Sequence, residues 1–177
     1  MQEKQMTIRE KWESLTLADN FVFGKIMSNK DVCKTLLEMM LNIKITDIEY
    51  PEQEKTLQAS YGARGIRMDV HTSDPERDFD IEMQTILRSD LSKRARYYQS
   101  LMDVEFLQKG NPYSSLKDNF VIFICLEDLF NKGLPVYSFE NICAENSTIK
   151  LNDRSFKIFY NVSARDKIKN TELRDFF

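Results

Sequence analysis

Two short segments of this chain carry acids at spacings suited to holding a metal ion. In Gly65-Ile66-Arg67-Met68-Asp69-Val70-His71-Thr72 the polar residues Arg67, Asp69 and His71 alternate with Ile66, Met68 and Val70. In Asp78-Phe79-Asp80-Ile81-Glu82-Met83-Gln84-Thr85 the polar residues Asp80, Glu82 and Gln84 alternate with Phe79, Ile81 and Met83. A period of two is the pattern of a strand whose successive side chains face opposite ways. It places Asp69 on one strand and Glu82 and Gln84 on the next, with all three on the same face. Carboxylates offer hard oxygen donors, which suit Mg²⁺ or Mn²⁺. The backbone carbonyl of Met83 lies between Glu82 and Gln84 and is a further candidate ligand. Gln84 can orient water or a phosphate by hydrogen bonds but brings no charge. The chemistry that such a set serves is phosphodiester hydrolysis: a cation beside the phosphate, and a polar group to position the attacking water.

Each of these residues also has a plainer reading. Asp69 and Glu82 can be two solvated acids on a strand face. Asp80 shares the face with Glu82 and reads either as an extra ligand or, more ordinarily, as a solvated residue near the strand start. His71 is the only histidine. It invites a general-base role, but hydrolysis of this kind needs no histidine, and an exposed or hydrogen-bonded structural residue is expected. Glu38, within Leu36-Leu37-Glu38-Met39, is expected to be an exposed helix carboxylate.

These residues need elements to position them. Ser73-Asp74-Pro75-Glu76-Arg77 is turn chemistry, so the two acid-bearing strands should form a hairpin. Residues 5–44 read as two helical pieces. Val32, Thr35, Leu36, Met39, Met40 and Ile43 form an apolar stripe, with Asn29 or Asp31 as its cap. The aromatics of Phe21-Val22-Phe23 should bury. Ile45–Tyr50 alternates like a half-buried strand that Pro51 interrupts. Ser89–Lys109 reads as one long helix, with Tyr98 in its apolar stripe and Gly110 to end it. Phe120–Leu126 is nearly all apolar and suits a central strand buried on both faces. Shorter strands should follow between Leu134 and Asn161. The chain stops at Asp175-Phe176-Phe177, just after Asn170 opens a helix; a short terminal helix or a chain cut within a longer one are both compatible. The order predicts one α/β domain over residues 1–177, with a mixed central β-sheet flanked by helices.

Composition narrows the function. The chain has 177 residues, 42% hydrophobic and 30% charged, as globular proteins do. No apolar run reaches the ~18 residues of a membrane span, and the start lacks a signal peptide's apolar core, so a cytoplasmic location is expected. Cys33, Cys125 and Cys143 are far apart; neither a zinc site nor a disulfide is expected. A formal net charge of −3 argues against a broadly basic coat for nucleic acid. Local clusters then matter more. Arg88, Lys93, Arg94 and Arg96 form one, as a phosphate-binding face or as a solvated helix face.

The residues also carry a resemblance. Asp69, then Glu82-Met83-Gln84 on a following strand, then a helix bearing Arg94-Ala95-Arg96-Tyr97-Tyr98-Gln99, resembles the PD-(D/E)XK nuclease family. Within it, the pattern resembles the branch of recombination-promoting nucleases and transposases. Phe21-Val22-Phe23-Gly24-Lys25 is similar to that branch's N-terminal motif. The likeness spans roughly residues 15 to 165. It implies a restriction-endonuclease-like core and Mg²⁺- or Mn²⁺-dependent DNA cleavage linked to mobile elements or recombination. It puts the metal on Asp69 and Glu82 and places Gln84 where the wider superfamily has lysine, as the branch commonly does. Asp69, Glu82 and Gln84 are then the catalytic triplet, with Arg94, Arg96, Lys93 and Arg88 on DNA. A homodimer is compatible with this reading. The competing class is a nuclease scaffold kept as a binding module.

Overall fold

The computed structural model describes residues 20–177. The part of the first expected helical piece before residue 20 lies outside them. Helix α1 spans Asn20–Met27 and α2 spans Lys30–Leu41. Asn29 is the cap of α2: its Oδ1 accepts from the N–H groups of Asp31 and Val32, both at 3.1 Å, satisfying two donors that a helix start leaves without partners. Glu38 is not an exposed acid. Its Oε1 accepts Ile45 N–H at 2.9 Å and fixes the chain just past the helix end.

The sheet has six strands in the order β1-β2-β3-β4-β6-β5. They are β1 Glu52–Leu57, β2 Ile66–Ser73, β3 Arg77–Gln84, β4 Asp118–Cys125, β5 Val136–Phe139 and β6 Ser155–Asn161. β1, β2 and β3 run antiparallel; β3, β4 and β6 run parallel; β5 closes the far edge antiparallel to β6. The sheet is mixed, as expected, and the hairpin β2–β3 forms where alternation placed it.

Between β3 and its parallel neighbour β4 the chain crosses over through helix α3, Leu91–Phe106. Parallel neighbours need such a crossover, and it puts the first turns of α3 beside the C-terminal end of β3. Gln99, buried on α3, anchors the helix: its Nε2 donates to Phe156 O at 3.0 Å and its Oε1 accepts from Ser155 Oγ at 2.9 Å. The helix ends at Phe106, short of the Lys109 expected. Gly110, at φ +97, serves the turn beyond it rather than the helix end. Helix α4, Thr171–Phe176, is capped by Asn170, whose side chain accepts Leu173 N–H at 3.0 Å.

Two apolar layers sandwich the sheet. One packs Phe23, Met27, Leu36 and Leu37 of α1 and α2, with Leu173 of α4, on Phe79, Ile81, Ile122 and Ile158. The other packs Leu91, Ala95, Tyr98 and Met102 of α3 on Met68, Val121, Phe123 and Phe159. Residues 120–125 alternate between the layers and are all buried, as a doubly covered strand requires. Each fully buried large side chain contributes about 1.5–3 kcal/mol before the entropy of ordering it.

Two expectations need correction. Ile45–Tyr50 is not a strand; pairing begins at Glu52, after Pro51. Ile45 and Ile48 are buried, but they are three apart, not two. The segment is held to β2 by Glu49 N–H to Ser73 O at 2.7 Å and by Thr72 Oγ1 donating to Glu49 O at 2.9 Å. The alternation of β2 is also interrupted. Met68 packs in the α3 layer and Val70 in the opposite one. The break falls at Asp69, which lies across the β1–β2 register from Glu54, a residue at φ +53.

Candidate functional site

At the break in β2, side chains take over from the ladder. Strand pairing between β2 and β3 is regular from Ser73↔Asp78 to Val70↔Ile81. Beyond it, Glu82 Oε1 accepts Asp69 N–H at 2.8 Å and Asp69 Oδ2 accepts Met83 N–H at 3.0 Å. The two carboxylates face each other across the gap that they clasp. Gln84, at the end of β3, donates through Nε2 to Met83 O at 3.0 Å. The three sequence-predicted residues Asp69, Glu82 and Gln84 are therefore together, and the Met83 carbonyl is among them.

Arg94 reaches in from α3. Its Nη2 donates to Glu82 Oε2, its Nη1 to Gln84 Oε1 at 3.1 Å, and its Nε to Tyr98 Oη at 2.8 Å. The guanidinium lies 4.9 Å from the Tyr98 ring centroid and 5.5 Å from that of Phe123, a cation–π arrangement. Tyr98 is buried, as its helical spacing predicts. Tyr97 is half-exposed and donates to Arg64 O at 2.6 Å, joining α3 to the loop before β2.

The cluster opens on a cleft of about 690 Å³ between that loop and the start of α3. Asp69, Met83 and Gln84 line its floor. Arg64, Arg67, Arg88, Lys93, Arg94 and Arg96 line its walls, against the acids Asp69 and Asp90. A chain of net charge −3 thus gathers six cations in one cleft. Arg88, Lys93 and Arg96 are where the sequence placed them. Arg64 and Arg67 escape a reading of the sequence because they lie just before and at the start of β2, apart from the basic run; only their proximity in sequence to Asp69 points to them.

A model of the PD-(D/E)XK nuclease family transposases matches residues 19–174. The chain belongs to that family. No match was found among curated proteins or among solved structures. The family match supports a nuclease-type function and agrees with the mixed sheet and flanking helices. In this nuclease-family fold the helices that sandwich the sheet leave the end of β3 open on the cleft.

The electrostatics of the cluster are those of too many acids for one cation. Asp80 is fully buried on β3, and neither of its carboxylate oxygens has a hydrogen-bond partner. It is not the solvated residue expected, because α3 covers the face it shares with Glu82. Burial, then the charges of Glu82 and Asp69, raise its pKa well above the carboxylate range. Burial and the Asp69 charge push Glu82 up to about 7, against the pull of Arg94. Asp69 is raised as well, chiefly by burial. Desolvation penalises each ionised form.

The donor set suits a hard divalent cation. Among the described residues no group of three or more His, Cys, Asp or Glu forms a ready cage. Asp69 and Glu82 nevertheless supply oxygen donors side by side, and the buried Asp80 carboxyl near them has no hydrogen-bond partner.

His71 lies apart from this chemistry. A lysine ammonium only donates, so His71 Nδ1 accepts from Lys55 Nζ at 3.2 Å, and its Nε2–H donates to Asp78 Oδ1 at 2.7 Å. It is a buried, hydrogen-bonded histidine.

Proposed function

We propose that this chain is a metal-dependent DNA endonuclease in which Asp69 and Glu82 ligate the cation, with the Met83 carbonyl as a further ligand. The observation that carries this reading is the convergence of Asp69 and Gln84 at the floor of a cleft walled by Arg and Lys, with the buried Glu82 bonded to Asp69 and Arg94. A bound Mg²⁺ or Mn²⁺ supplies Lewis acidity toward the phosphate and a more acidic water.

The protein's own residues do the rest. Gln84 has two amide hydrogens and commits one to Met83 O; the other is available to orient the attacking water or a phosphate oxygen. Arg67 and Arg64, with Arg88, Lys93 and Arg96, hold the phosphate backbone across the cleft. The clasp between Asp69 and Glu82 keeps both carboxylates in place before substrate arrives, which is the preorganisation that such chemistry requires. DNA is the expected partner and a role in mobile-element or recombination chemistry the expected setting. A cytoplasmic location and a homodimer belong to the same reading. Among the described residues no helix is long and apolar enough to cross a membrane.

The test is plasmid nicking with Mg²⁺ and with Mn²⁺, run beside Asp69→Asn and Glu82→Gln. Cleavage by the wild type and loss in both variants is expected. Equal activity in all three would sink the assignment. The competing binding-module reading has one observation in its favour: Arg94 already occupies the Glu82 carboxylate. DNA binding without cleavage or Mn²⁺ uptake would decide for it.

A further inference from the structure

Building on the nuclease reading, we infer that Arg94 is the resident counter-cation of the Asp69–Glu82 pair, and that it must leave Glu82 before a divalent cation can be held there. Three observations meet on this point. First, the two Glu82 oxygens are both engaged: Oε1 accepts Asp69 N–H at 2.8 Å, and Oε2 is held by Arg94 Nη2. A metal would have to share this carboxylate with the backbone N–H on one oxygen and the guanidinium on the other.

Second, Arg94 stands between Glu82 and the cleft. The Glu82 side chain is 0% exposed and does not line the cleft, whereas Arg94 is 28% exposed and does. A cation arriving from solvent meets the guanidinium before the carboxylate.

Third, Arg94 has a pivot. Its Nε is bonded to Tyr98 Oη at 2.8 Å and its plane lies against the rings of Tyr98 and Phe123. The guanidinium is one rigid plane, so a turn of the aliphatic torsions that carry it, sliding on the Tyr98 ring, takes Nη1 and Nη2 off Gln84 and Glu82 and toward the cleft that Arg94 lines. The same motion frees Gln84 Oε1.

The acids supply the reason for the arrangement. Asp69 and Glu82 stand side by side in a largely dry site, so whenever both ionise they need a positive charge beside them. Arg94 provides it without metal and is released when metal takes its place. The two cations would compete for the Glu82 carboxylate, so each weakens the other's hold. The released guanidinium then points where a phosphate would lie, which couples cation uptake to substrate capture.

Mn²⁺ binding, followed by calorimetry on wild type, Arg94→Gln and Glu82→Gln, tests this without reference to cleavage. Removing a charge-assisted hydrogen bond that the metal must displace should tighten Mn²⁺ binding about ten-fold in Arg94→Gln, while Glu82→Gln abolishes it. Equal or weaker binding in Arg94→Gln, with none in Glu82→Gln, overturns the competition and leaves the metal site standing. Binding that ignores Glu82→Gln, or is absent in all three proteins, overturns the nuclease reading itself. Should Arg94→Gln fail to fold by circular dichroism, the wild type answers the same question. Titration with Mg²⁺ should perturb the Arg94 guanidinium signals in ¹⁵N-arginine NMR; unmoved signals while Mg²⁺ binds would refute the displacement.

Discussion

Asp69 and Glu82 each complete the other's strand: the Glu82 carboxylate takes the Asp69 N–H at 2.8 Å, and the Asp69 carboxylate takes the N–H of Met83 at 3.0 Å. The proposed ligands are therefore also structural members of the sheet. Truncation to alanine removes a ligand and also leaves a backbone N–H without its acceptor. We expect Asp69→Ala to destabilise the protein by about 1–3 kcal/mol, and Asp69→Asn, which keeps an oxygen acceptor, by clearly less. Urea unfolding of the two variants checks this; equal losses would show that the clasp contributes nothing beyond the charge.

Stability should fall as pH rises through the acid range. Glu82 moves from an ordinary 4.5 to about 7 in the folded protein. Below 4.5 both folded and unfolded states hold the proton, so the stabilising contribution is fully present and does not vary with pH. Between 4.5 and 7 the unfolded chain releases the proton while the folded one keeps it, so stability declines with pH; above 7 both are ionised and the decline stops. The shift corresponds to roughly 3 kcal/mol at most. Because Glu82 interacts with Asp69 and Asp80, the slope belongs to the group of acids. Glu82→Gln should flatten the curve of melting temperature against pH over this window, and Mn²⁺ should flatten it in the wild type. A wild-type curve that rises from pH 4.5 to 7 would contradict this assignment.

Arg64 and Arg67 should bind DNA through phosphate. Arg67 is 62% exposed on its side chain and only loosely paired to Glu54, at 3.4 Å, so it can turn to a partner at little cost. Each substitution to alanine should weaken binding of duplex DNA regardless of sequence. Each should also lower the slope of log affinity against log salt by about 0.9 for every phosphate that is no longer neutralised. Lys132→Ala, outside the cleft, is the control. Fluorescence anisotropy across a salt series reads both quantities. A slope unchanged in both arginine variants would place the DNA elsewhere.

What is legible in the sequence, and what is not, follows from the range of each signal. Alternation in β3 puts Glu82 and Gln84 on one face because side-chain period is local, and the clasp with Glu82 and Met83 brings Asp69 to them where β2's own alternation breaks. The apolar run at Phe120 marks the doubly covered β4 for the same reason. Asp80 defeats the same reasoning because alternation reports a face and says nothing of what covers it; α3, joined through the crossover, buries that face. Ile45–Tyr50 resembles a strand and is not one because it is tied to β2 by the bonds of Glu49 to Ser73 and Thr72 rather than by a ladder. The break at Asp69 leaves no trace in residue types, since Met68 and Val70 are apolar on either side of the sheet. Arg64 and Arg67 join the basic run of α3 only through the fold, and the bond of Arg94 to Glu82 spans 12 residues of chain.

His71 separates structure from catalysis. It is buried beside Asp78 and Lys55, with both ring nitrogens in use. His71→Ala removes the donor to Asp78 and the acceptor for Lys55, leaving a buried carboxylate and an ammonium to find water. That should cost about 1–3 kcal/mol of stability, in keeping with the removal of a buried hydrogen-bonded partner. His71→Gln, which offers both a donor and an acceptor, should recover part of it. Neither variant should change the rate of metal-dependent cleavage measured well below its melting temperature, because His71 does not line the cleft and its ring nitrogens bond Asp78 and Lys55, not Asp69 or Glu82. A drop in rate of about ten-fold or more at unchanged stability, worth about 1.4 kcal/mol of barrier, would make His71 a participant after all.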